Sequence, residues 1–484
     1  MSGENSLKTK TKNALLWNAL DKVVTQLVSV AINLILAREL LDKTDYGVIG
    51  MLAIFVAIAN AVTDCGLSAA LVRKPVISEK DCNTAFYFNI ASALILYGIL
   101  YFSAPAIARF YNEPILIPLA RVLFLVPVIS ATGLVQATQL SKRIQFNKLT
   151  VINMVSLIVS GIAAIATALL GYGVWALIIQ QVSLAAMKSL LLWIFNTWRP
   201  KMQFSITSFK EMFSFGTNLT ISGILNVVFL NIYSSFIGKL YKGEIGFYTQ
   251  AVRWSDMAVF SLAGTIQTAT YPVFSTVQTD EERLIRAYRK TMRFTAFVTL
   301  PVLLGLVLIS RPLFLCLLTD KWADSIPFMQ LLCFAGIFTV FTQINHNFLK
   351  IAGDSRLLLL LEIGKMILVG VMFCLTWRLS PVAIVLGQVI IRAIVYFSNA
   401  YFIGEKVGYS WRMQCKDIFP YAAISVAMVM VGYFAVLPVQ NIYWQLVLQI
   451  MICALYYLGM NKWLRSRIFD EVLQVIKRDK DGND

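Results

Sequence analysis

Long apolar runs recur from one end of this chain to the other, and they limit the available folds more than any other feature. Each run has roughly 20 residues or slightly more, the length at which an α-helix crosses a hydrocarbon core about 30 Å thick. Because lipid offers no partner for backbone N–H and C=O groups, each run must form a helix. The sequence therefore predicts an all-α polytopic membrane protein. The runs, about fourteen in number, span residues 14–36, 46–71, 84–103, 115–137, 149–170, 173–195, 213–237, 250–276, 292–310, 326–349, 357–377, 381–403, 418–436 and 442–463.

The composition leaves little material for a soluble catalytic domain. Of the 484 residues, 58% are hydrophobic and 14% are charged. The seven cysteines are scattered without a CxxC pair and His346 is the single histidine, so neither a disulfide framework nor a zinc site is expected. The motifs GxxxxGK[ST], HExxH and GxSxG are absent as well. We therefore expect no metal, no cofactor and no enzymatic activity.

The positive charges are divided unequally between the two ends of the runs. If odd-numbered connections lie outside, the inside segments carry 28 of the 42 lysines and arginines and the outside connections carry eight. Positive residues are retained on the cytoplasmic side of membranes, so this division predicts an even number of spans with both termini cytoplasmic. The formal charge of +16 then reflects topology, and no nucleic-acid partner is expected.

Short motifs recur about 200 residues apart, which indicates an internal repeat. The matched sets are Gly98, Ser103 and Pro105 with Gly305, Ser310 and Pro312, Ile117 and Pro118 with Ile326 and Pro327, and LLDKTDYG ending at Gly47 with LYKGEIG ending at Gly246. Six helices separate the copies, so both halves run in the same sense about an axis along the membrane normal. We expect two pseudo-symmetric six-helix lobes, residues 1–203 and 204–410, followed by two extra helices and a cytoplasmic tail in residues 411–484.

Charged groups inside the apolar runs are the candidate site residues, because such groups are costly in lipid and normally face a bundle interior or an aqueous cavity. Six cations lie more than two residues inside the runs, Lys22, Arg121, Lys188, Arg253, Lys365 and Arg392, and the four acids are Asp21, Asp64, Asp256 and Glu362. Two pairs, Arg253 with Asp256 and Glu362 with Lys365, are spaced i, i+3 on one helical face. The surplus of about two cations suits an anionic group such as a pyrophosphate.

These charged residues are assigned to different roles. Lys188 is close to the cytoplasmic end of its run and is interpreted as snorkelling to the interface. The residues expected to line a substrate-binding cationic cavity are Lys22, Arg253, Arg392, Arg121 and Lys365. The candidates for coupling to an ion gradient, with H+ and Na+ both left open, are Asp21, Asp256 and Glu362.

Two cytoplasmic segments are predicted to be amphipathic helices lying on the membrane surface. One presents the apolar face Leu284, Ile285, Tyr288 and Met292, and the other presents Ile468, Val472, Val475 and Ile476.

Several segments resemble the polysaccharide transporter family, the Wzx-type lipid-linked oligosaccharide flippases of the multidrug/oligosaccharidyl-lipid/polysaccharide superfamily. The similar segments, spread over roughly residues 10 to 410, are LARELLDKTDYGVIGMLAIF, DCGLSAALVRKPVIS, APAIARFYNEP, GYGVWALIIQQ, WRPKMQFS, EIGFYTQAVRWSDM, YPVFSTVQTDEERLIRAYRK, TDKWADSIPFMQLL and AGDSRLLLLLEIGKMI. In the related lipid II flippases, basic residues of the first and eighth helices line a cationic cavity, and Lys22 and Arg253 occupy similar places here. Spans 13 and 14 resemble the extra pair that forms a lipid-tail groove in that branch.

The resemblance implies an inner-membrane carrier for undecaprenyl-diphosphate-linked glycan units used in O-antigen, capsule or exopolysaccharide assembly. Its expected partners are the lipid-linked oligosaccharide, membrane lipids, and the polymerase and chain-length proteins of the same pathway. Two alternatives stay open: a multidrug extruder of the same superfamily, and a polysaccharide polymerase or glycosyltransferase. Cations inside the runs favour an anionic cargo over cationic drugs, and the short outside connections disfavour a polymerase.

Overall fold

The structure is a computed structural model that describes residue 17 and residues 21–74, 77–276, 281–351 and 355–471. Within these residues the chain is helical and contains no strand. We number the helices α1 to α17. They are Asp21–Leu40, Lys43–Asp64, Leu67–Arg73, Glu79–Tyr111, Leu116–Leu123, Leu125–Ala131, Leu134–Lys142, Phe146–Leu169, Trp175–Phe195, Ile206–Leu240, Ile245–Thr276, Glu281–Leu318, Ile326–Ile351, Ser355–Thr376, Pro381–Val407, Trp411–Val436 and Ile442–Trp463. The predicted start of the first run at residue 14 lies outside the described residues.

Each predicted apolar run coincides with a helix or a broken helix over the described residues. Eleven helices are long and apolar enough to cross a membrane, or twelve if the bent segment of α5, α6 and α7 counts as one span. The helices α11 and α14 fall on two further predicted runs but are not among these twelve. The protein is therefore a multi-pass membrane protein, and the count of fourteen stays a prediction.

Polar residues at the helix starts explain several of the helix boundaries. Ser78 accepts a hydrogen bond from the Asp81 backbone while Asp81 bonds the Ser78 N–H, so α4 begins with a capping box. Ser380 caps α15 immediately before Pro381, whose ring is favoured at the first helical position. Asn441 caps α17 through its side-chain oxygen.

The chain divides into two compact units, residues 1–249 and residues 250–484. The division falls within α11, so α10 and the first turn of α11 belong to unit 1. The repeat-based lobes, with boundaries after residues 203 and 410, remain a prediction about internal symmetry.

In unit 1, α10 packs along α2, and glycines allow the close approach. A Cβ at Gly66 would lie 2.7 Å from the Cα of Gly216, and one at Gly238 would lie 2.8 Å from Met51. Gly66 follows Cys65, and both have left-handed backbone conformations, with φ of 68° and 47°. This turn breaks the second predicted span into α2 and α3, because the interior of a right-handed helix cannot contain two successive left-handed residues.

The first turn of α11 crosses the start of α2 in the same unit. A Cβ at Gly47 would lie 2.8 Å from Ile245, and one at Gly246 would overlap the backbone carbonyl of Lys43. The ammonium of Lys43 also lies over the ring of Phe247, 4.6 Å from its centroid. Gly47 and Gly246 are the closing glycines of the repeated LLDKTDYG and LYKGEIG motifs, so the two copies contact each other directly.

Unit 2 is organised around α12, which packs against α13, α16 and α17. Tyr457 of α17 donates a 2.8 Å hydrogen bond to the carbonyl of Phe297 in α12. At the other crossing, a Cβ at Gly432 of α16 would lie 2.6 Å from the sulfur of Cys453 and 2.9 Å from Leu308. These contacts join the last two helices to α12.

The prediction of a surface amphipathic helix at residues 284–292 is wrong. The segment is the beginning of α12, and its apolar residues Leu284, Tyr288 and Met292 are buried in the core of unit 2. Aromatic partners cover this face, since the ring of Tyr288 stacks on Phe348 at 5.1 Å. In the carboxyl tail, Ile468 is buried in the same core, while Val472, Val475 and Ile476 lie outside the described residues.

Candidate functional site

Most of the charged residues of the apolar runs fall into two separate groups, one in each unit. In unit 1 the group centres on Asp21, near the start of α1. The Asp21 carboxylate accepts a hydrogen bond of 3.2 Å from the side-chain amide of Asn153 in α8 and a longer one of 3.5 Å from Thr25. Lys188 of α9 interacts electrostatically with the same carboxylate. The neighbouring side chain of Lys22 is exposed.

The sequence does not single out Asn153, and it assigns Lys188 to the membrane interface. The signal for Asn153 is a polar stripe on an otherwise apolar helix, because Asn153, Ser156 and Ser160 recur at helical spacing in α8. The position of Lys188 near the end of its run predicts snorkelling, and this stays a prediction. In the structure Lys188 also interacts electrostatically with Asp21.

Arg121, also predicted for the cavity, has a different environment in unit 1. Its guanidinium lies over the ring of Tyr101, 4.3 Å from the centroid, which is a favourable cation–π geometry. Among the described residues, no carboxylate pairs with Arg121 within 4.0 Å. Arg121 is therefore stabilised by an aromatic ring and is not drawn into the Asp21 group.

The group in unit 2 is more deeply buried. Arg392 of α15 and Lys365 of α14 are 7% and 6% exposed. Arg392 donates a 2.8 Å hydrogen bond to the hydroxyl of Thr339 in α13, while its Nε is buried without a hydrogen-bond partner among the described residues. Lys365 forms an ion pair with Glu362, as the i, i+3 spacing predicts.

The second i, i+3 pair is not formed. Within the described residues, no ion pair within 4.0 Å joins Arg253 to Asp256. Asp256 interacts electrostatically with Arg392, which reaches it from α15. Arg392 also interacts with Lys365, so Asp256, Arg392, Lys365 and Glu362 form one cluster of two acids and two bases.

The two groups differ in charge balance and in access. The unit 2 cluster is balanced, with two buried bases and two half-buried acids, and it leaves the half-buried Arg253 outside. In unit 1, Lys22 and Lys188 are both exposed and Asp21 is the one carboxylate of the group, so the group carries a surplus positive charge. Exposed lysines suit the binding of an anionic group, whereas half-buried acids beside buried bases suit the exchange of a proton or small cation.

The described residues contain no group of three or more His, Cys, Asp or Glu side chains placed to hold a metal ion.

Comparison with known sequences identifies relatives involved in surface polysaccharides. A family model described as "Polysaccharide biosynthesis protein" matches residues 35–327. The teichuronic acid biosynthesis protein TuaB of Bacillus subtilis (strain 168) is 28% identical over 316 residues, which are 64% of this chain and 65% of that protein. The lipopolysaccharide biosynthesis protein WzxC of Escherichia coli (strain K12) is 24% identical over 335 residues, or 69% of this chain and 68% of WzxC. The chain thus spans slightly less than two thirds of TuaB.

Comparison with solved structures identifies the fold. The lipid II flippase MurJ in an inward closed conformation superposes with a TM-score of 0.73 at 16% identity, covering 94% of this chain and all of MurJ. An inward-facing multidrug resistance MATE transporter of the MOP superfamily superposes with a TM-score of 0.64, covering 82% of this chain and 98% of that one. The predicted all-α, MATE-like fold class is therefore confirmed. Since the family model covers more than half of the sequence, the chain belongs to the polysaccharide biosynthesis protein family and has the fold of the MOP-superfamily transporters.

Proposed function

We propose that this protein is a flippase for undecaprenyl-diphosphate-linked oligosaccharides. It moves repeat units from the cytoplasmic to the outer leaflet of the bacterial cytoplasmic membrane for O-antigen, capsule or exopolysaccharide synthesis. Membership of the family, relatives named for lipopolysaccharide and teichuronic acid biosynthesis, and likeness to a lipid II flippase support the proposal. The protein acts as a carrier and not as an enzyme.

The single observation that carries the proposal is the exposed cationic side chain of Lys22 within an apolar helix. A diphosphate bearing sugars cannot cross hydrocarbon unaided, because burying an unpaired charge is prohibitive. The carrier must therefore offer the headgroup a solvated, positive surface while the polyprenyl tail stays in lipid. Lys22 and Arg253 are the residues to which we assign headgroup binding, and Arg392 joins them when its buried cluster opens.

Transport then requires alternating access. The headgroup enters from the cytoplasmic side, the lobes rock about the site, and the empty carrier returns. Both termini are cytoplasmic in this proposal, in agreement with the 28 to 8 division of lysines and arginines. The glycan polymerase and chain-length proteins of the pathway are the proposed partners on the product side.

We assign ion coupling to Asp256 before Asp21 or Glu362. Asp256 interacts with Arg392, whose Nε has no hydrogen-bond partner in the part of the chain that the structure describes. A proton or Na+ bound at Asp256 would neutralise the carboxylate and release Arg392 toward the headgroup. Asp256→Asn should therefore transport at a rate independent of the imposed ion gradient. A variant that still responds to the gradient as the wild type does would exclude Asp256 as the coupling residue.

Reconstitution tests the proposed activity. Purified protein in proteoliposomes should expose a fluorescent undecaprenyl-diphosphate-linked glycan to an impermeant quencher faster than protein-free vesicles do. Lys22→Gln and Arg253→Gln should each reduce this rate at least about tenfold at unchanged membrane abundance, since each removes a charge-assisted contact. Flipping at the wild-type rate by both variants would refute the cationic cavity.

The MATE-like fold also supports a second candidate function, export of cationic drugs. The same vesicles distinguish the two functions: ethidium transport without glycan flipping would establish the exporter and overturn the flippase. A polymerase would instead lengthen the lipid-linked glycan, which mass spectrometry of the extracted lipid would reveal.

A further inference from the structure

The position of Lys188 on α9 separates it from the lipid-facing side of that helix. Ala186, Leu190 and Ile194 are exposed and follow one another at intervals of four residues, so they form one apolar stripe. Successive residues of an α-helix are about 100° apart, which puts Lys188 about 160° around the helix from the centre of this stripe. Lys188 is nevertheless exposed. The helix is thus exposed on two sides, one apolar and one carrying Lys188, and the two sides are nearly opposite.

The same arrangement occurs on α1. Val23, Leu27 and Ile35 form its exposed apolar stripe, and Lys22 lies about 160° from the centre of that stripe by the same helical geometry. Exposed charges within membrane-spanning helices face water-filled space rather than acyl chains. Lys22 and Lys188 therefore each lie on the aqueous side of their own helix.

Asp21, which directly precedes Lys22 in α1, is the acidic neighbour of Lys188. Its carboxylate is oriented by hydrogen bonds from Asn153 and Thr25, and Lys188 interacts with it electrostatically. Lys188 lies beyond the 4.0 Å limit of an ion pair with Asp21 among the described residues. The two charges therefore interact without forming an ion pair.

We propose that Lys188 is a headgroup-binding residue that exchanges partners, from Asp21 in the empty carrier to the diphosphate of the cargo. A diphosphate carries more charge and more acceptor oxygens than one carboxylate, so it competes effectively for the ammonium. Departure of Lys188 leaves Asp21 with its two neutral hydrogen-bond donors and an uncompensated charge, which favours uptake of a proton or cation. The inference rests on the proposed flippase function and adds a substrate-dependent switch to it.

The test measures binding of undecaprenyl diphosphate to the purified full-length protein, with undecaprenol as the neutral probe. Lys188→Met should weaken undecaprenyl diphosphate binding about tenfold, the loss expected for one charge-assisted contact, and should leave undecaprenol binding unchanged. Lys188→Arg should retain most of the affinity because it keeps the charge. Lys210→Met removes an exposed lysine outside the apolar runs and serves as the matched control, with wild-type binding expected.

A double variant separates this role from simple neutralisation of Asp21. If Lys188 only compensates Asp21, Asp21→Asn/Lys188→Met should bind as the wild type does, and that result would overturn the proposal. If Lys188 contacts the diphosphate, Asp21→Asn alone should bind at least as tightly as the wild type, while the double variant stays as weak as Lys188→Met. Wild-type binding by Lys188→Met would equally overturn it.

The outcome is independent of the transport assay. A protein that binds undecaprenyl diphosphate through Lys188 but flips no glycan would refute the proposed flippase and retain the Lys188 site. A protein that flips glycan with undiminished binding in Lys188→Met would retain the flippase and refute the site.

Discussion

At the scale of single residues, Asp417 of α16 shows how a buried charge can stabilise one end of a unit. It is 5% exposed, and its carboxylate accepts hydrogen bonds from Arg289 and Arg293 of α12 and from Tyr409. These donors come from α12 and from the connection before α16, so the carboxylate joins three parts of the unit. The Glu282–Arg286 pair on α12 provides a contrast, because both side chains are largely exposed.

Removing the charge of Asp417 should therefore be costly. Asp417→Asn leaves two arginines facing a neutral amide, and we expect a loss of about 2 to 4 kcal/mol of stability, below the range for fully buried pairs because the arginines are partly exposed. Glu282→Gln should cost less than about 0.5 kcal/mol, as exposed ion pairs do. Thermal unfolding in detergent at matched concentration measures both. Equal unfolding midpoints for Asp417→Asn and Glu282→Gln would contradict the stabilising role assigned to Asp417.

The sequence correctly predicts an ion pair when both residues lie on one helix and no charged residue of another helix competes for either of them. Glu362 and Lys365 pair as their spacing predicts. Arg253 and Asp256 have the same spacing, but Arg392 approaches Asp256 from another helix. Spacing along a helix indicates which side chains can meet, whereas tertiary packing decides which of them do. For the same reason the sequence did not predict that Asn153 and Lys188 gather around Asp21.

At the scale of helices, the sequence predicted the existence of the elements better than their interruptions. Hydrophobicity locates apolar runs because each one must satisfy its backbone within itself. It does not predict that α2 ends at Asp64, or that the fourth run is broken into α5, α6 and α7 with a 42° bend before Leu134. These breaks depend on close packing, as between Gly66 and Gly216, and no composition signal distinguishes such glycines from the others.

The crossing of α2 and α11 gives a prediction at this scale. Gly246→Ala places a Cβ onto the carbonyl oxygen of Lys43, so α11 or α2 must shift, and we expect a loss of about 1 to 3 kcal/mol, as for overpacked sites. Gly243→Ala changes a glycine three residues earlier, in the connection before α11, and its added Cβ has nothing within 4 Å. It should change stability by less than about 0.5 kcal/mol.

Unfolding midpoints of the two glycine variants provide the comparison. A Gly246→Ala protein as stable as Gly243→Ala would mean that the two helices do not approach as closely as described.

At the scale of the whole molecule, orientation in the membrane follows from the charge division and stays a prediction. Gly171 and Gly408 both have positive φ and open space around them, so both connections should accept an inserted reporter. A fusion after Gly171 should report the outer side and one after Gly408 the cytoplasm, in agreement with the positive-inside rule. Activity of alkaline phosphatase and of a cytoplasmic fluorescent reporter at each site measures this. Reversed signals would invert the topology.

The internal repeat is likewise readable from the sequence only in part. The paired motifs place prolines within both α4 and α12, at Pro105 and Pro312. The helices that follow differ, since α5 is short whereas α13 runs unbroken from Ile326 to Ile351. The two copies have therefore kept their motifs but differ in where their helices are broken. Superposition of the two lobes with Gly98 on Gly305 stays a prediction.

The contact between Gly47 and Gly246 has a consequence for how the sequence can change over time. Corresponding positions of the two motif copies touch each other, as equivalent residues do at a two-fold axis. A larger side chain gained by one copy must be matched by space in the other. Among relatives, positions 43–50 and 245–249 should therefore covary as one set, and natural variation at one glycine should be accompanied by compensating change at its counterpart.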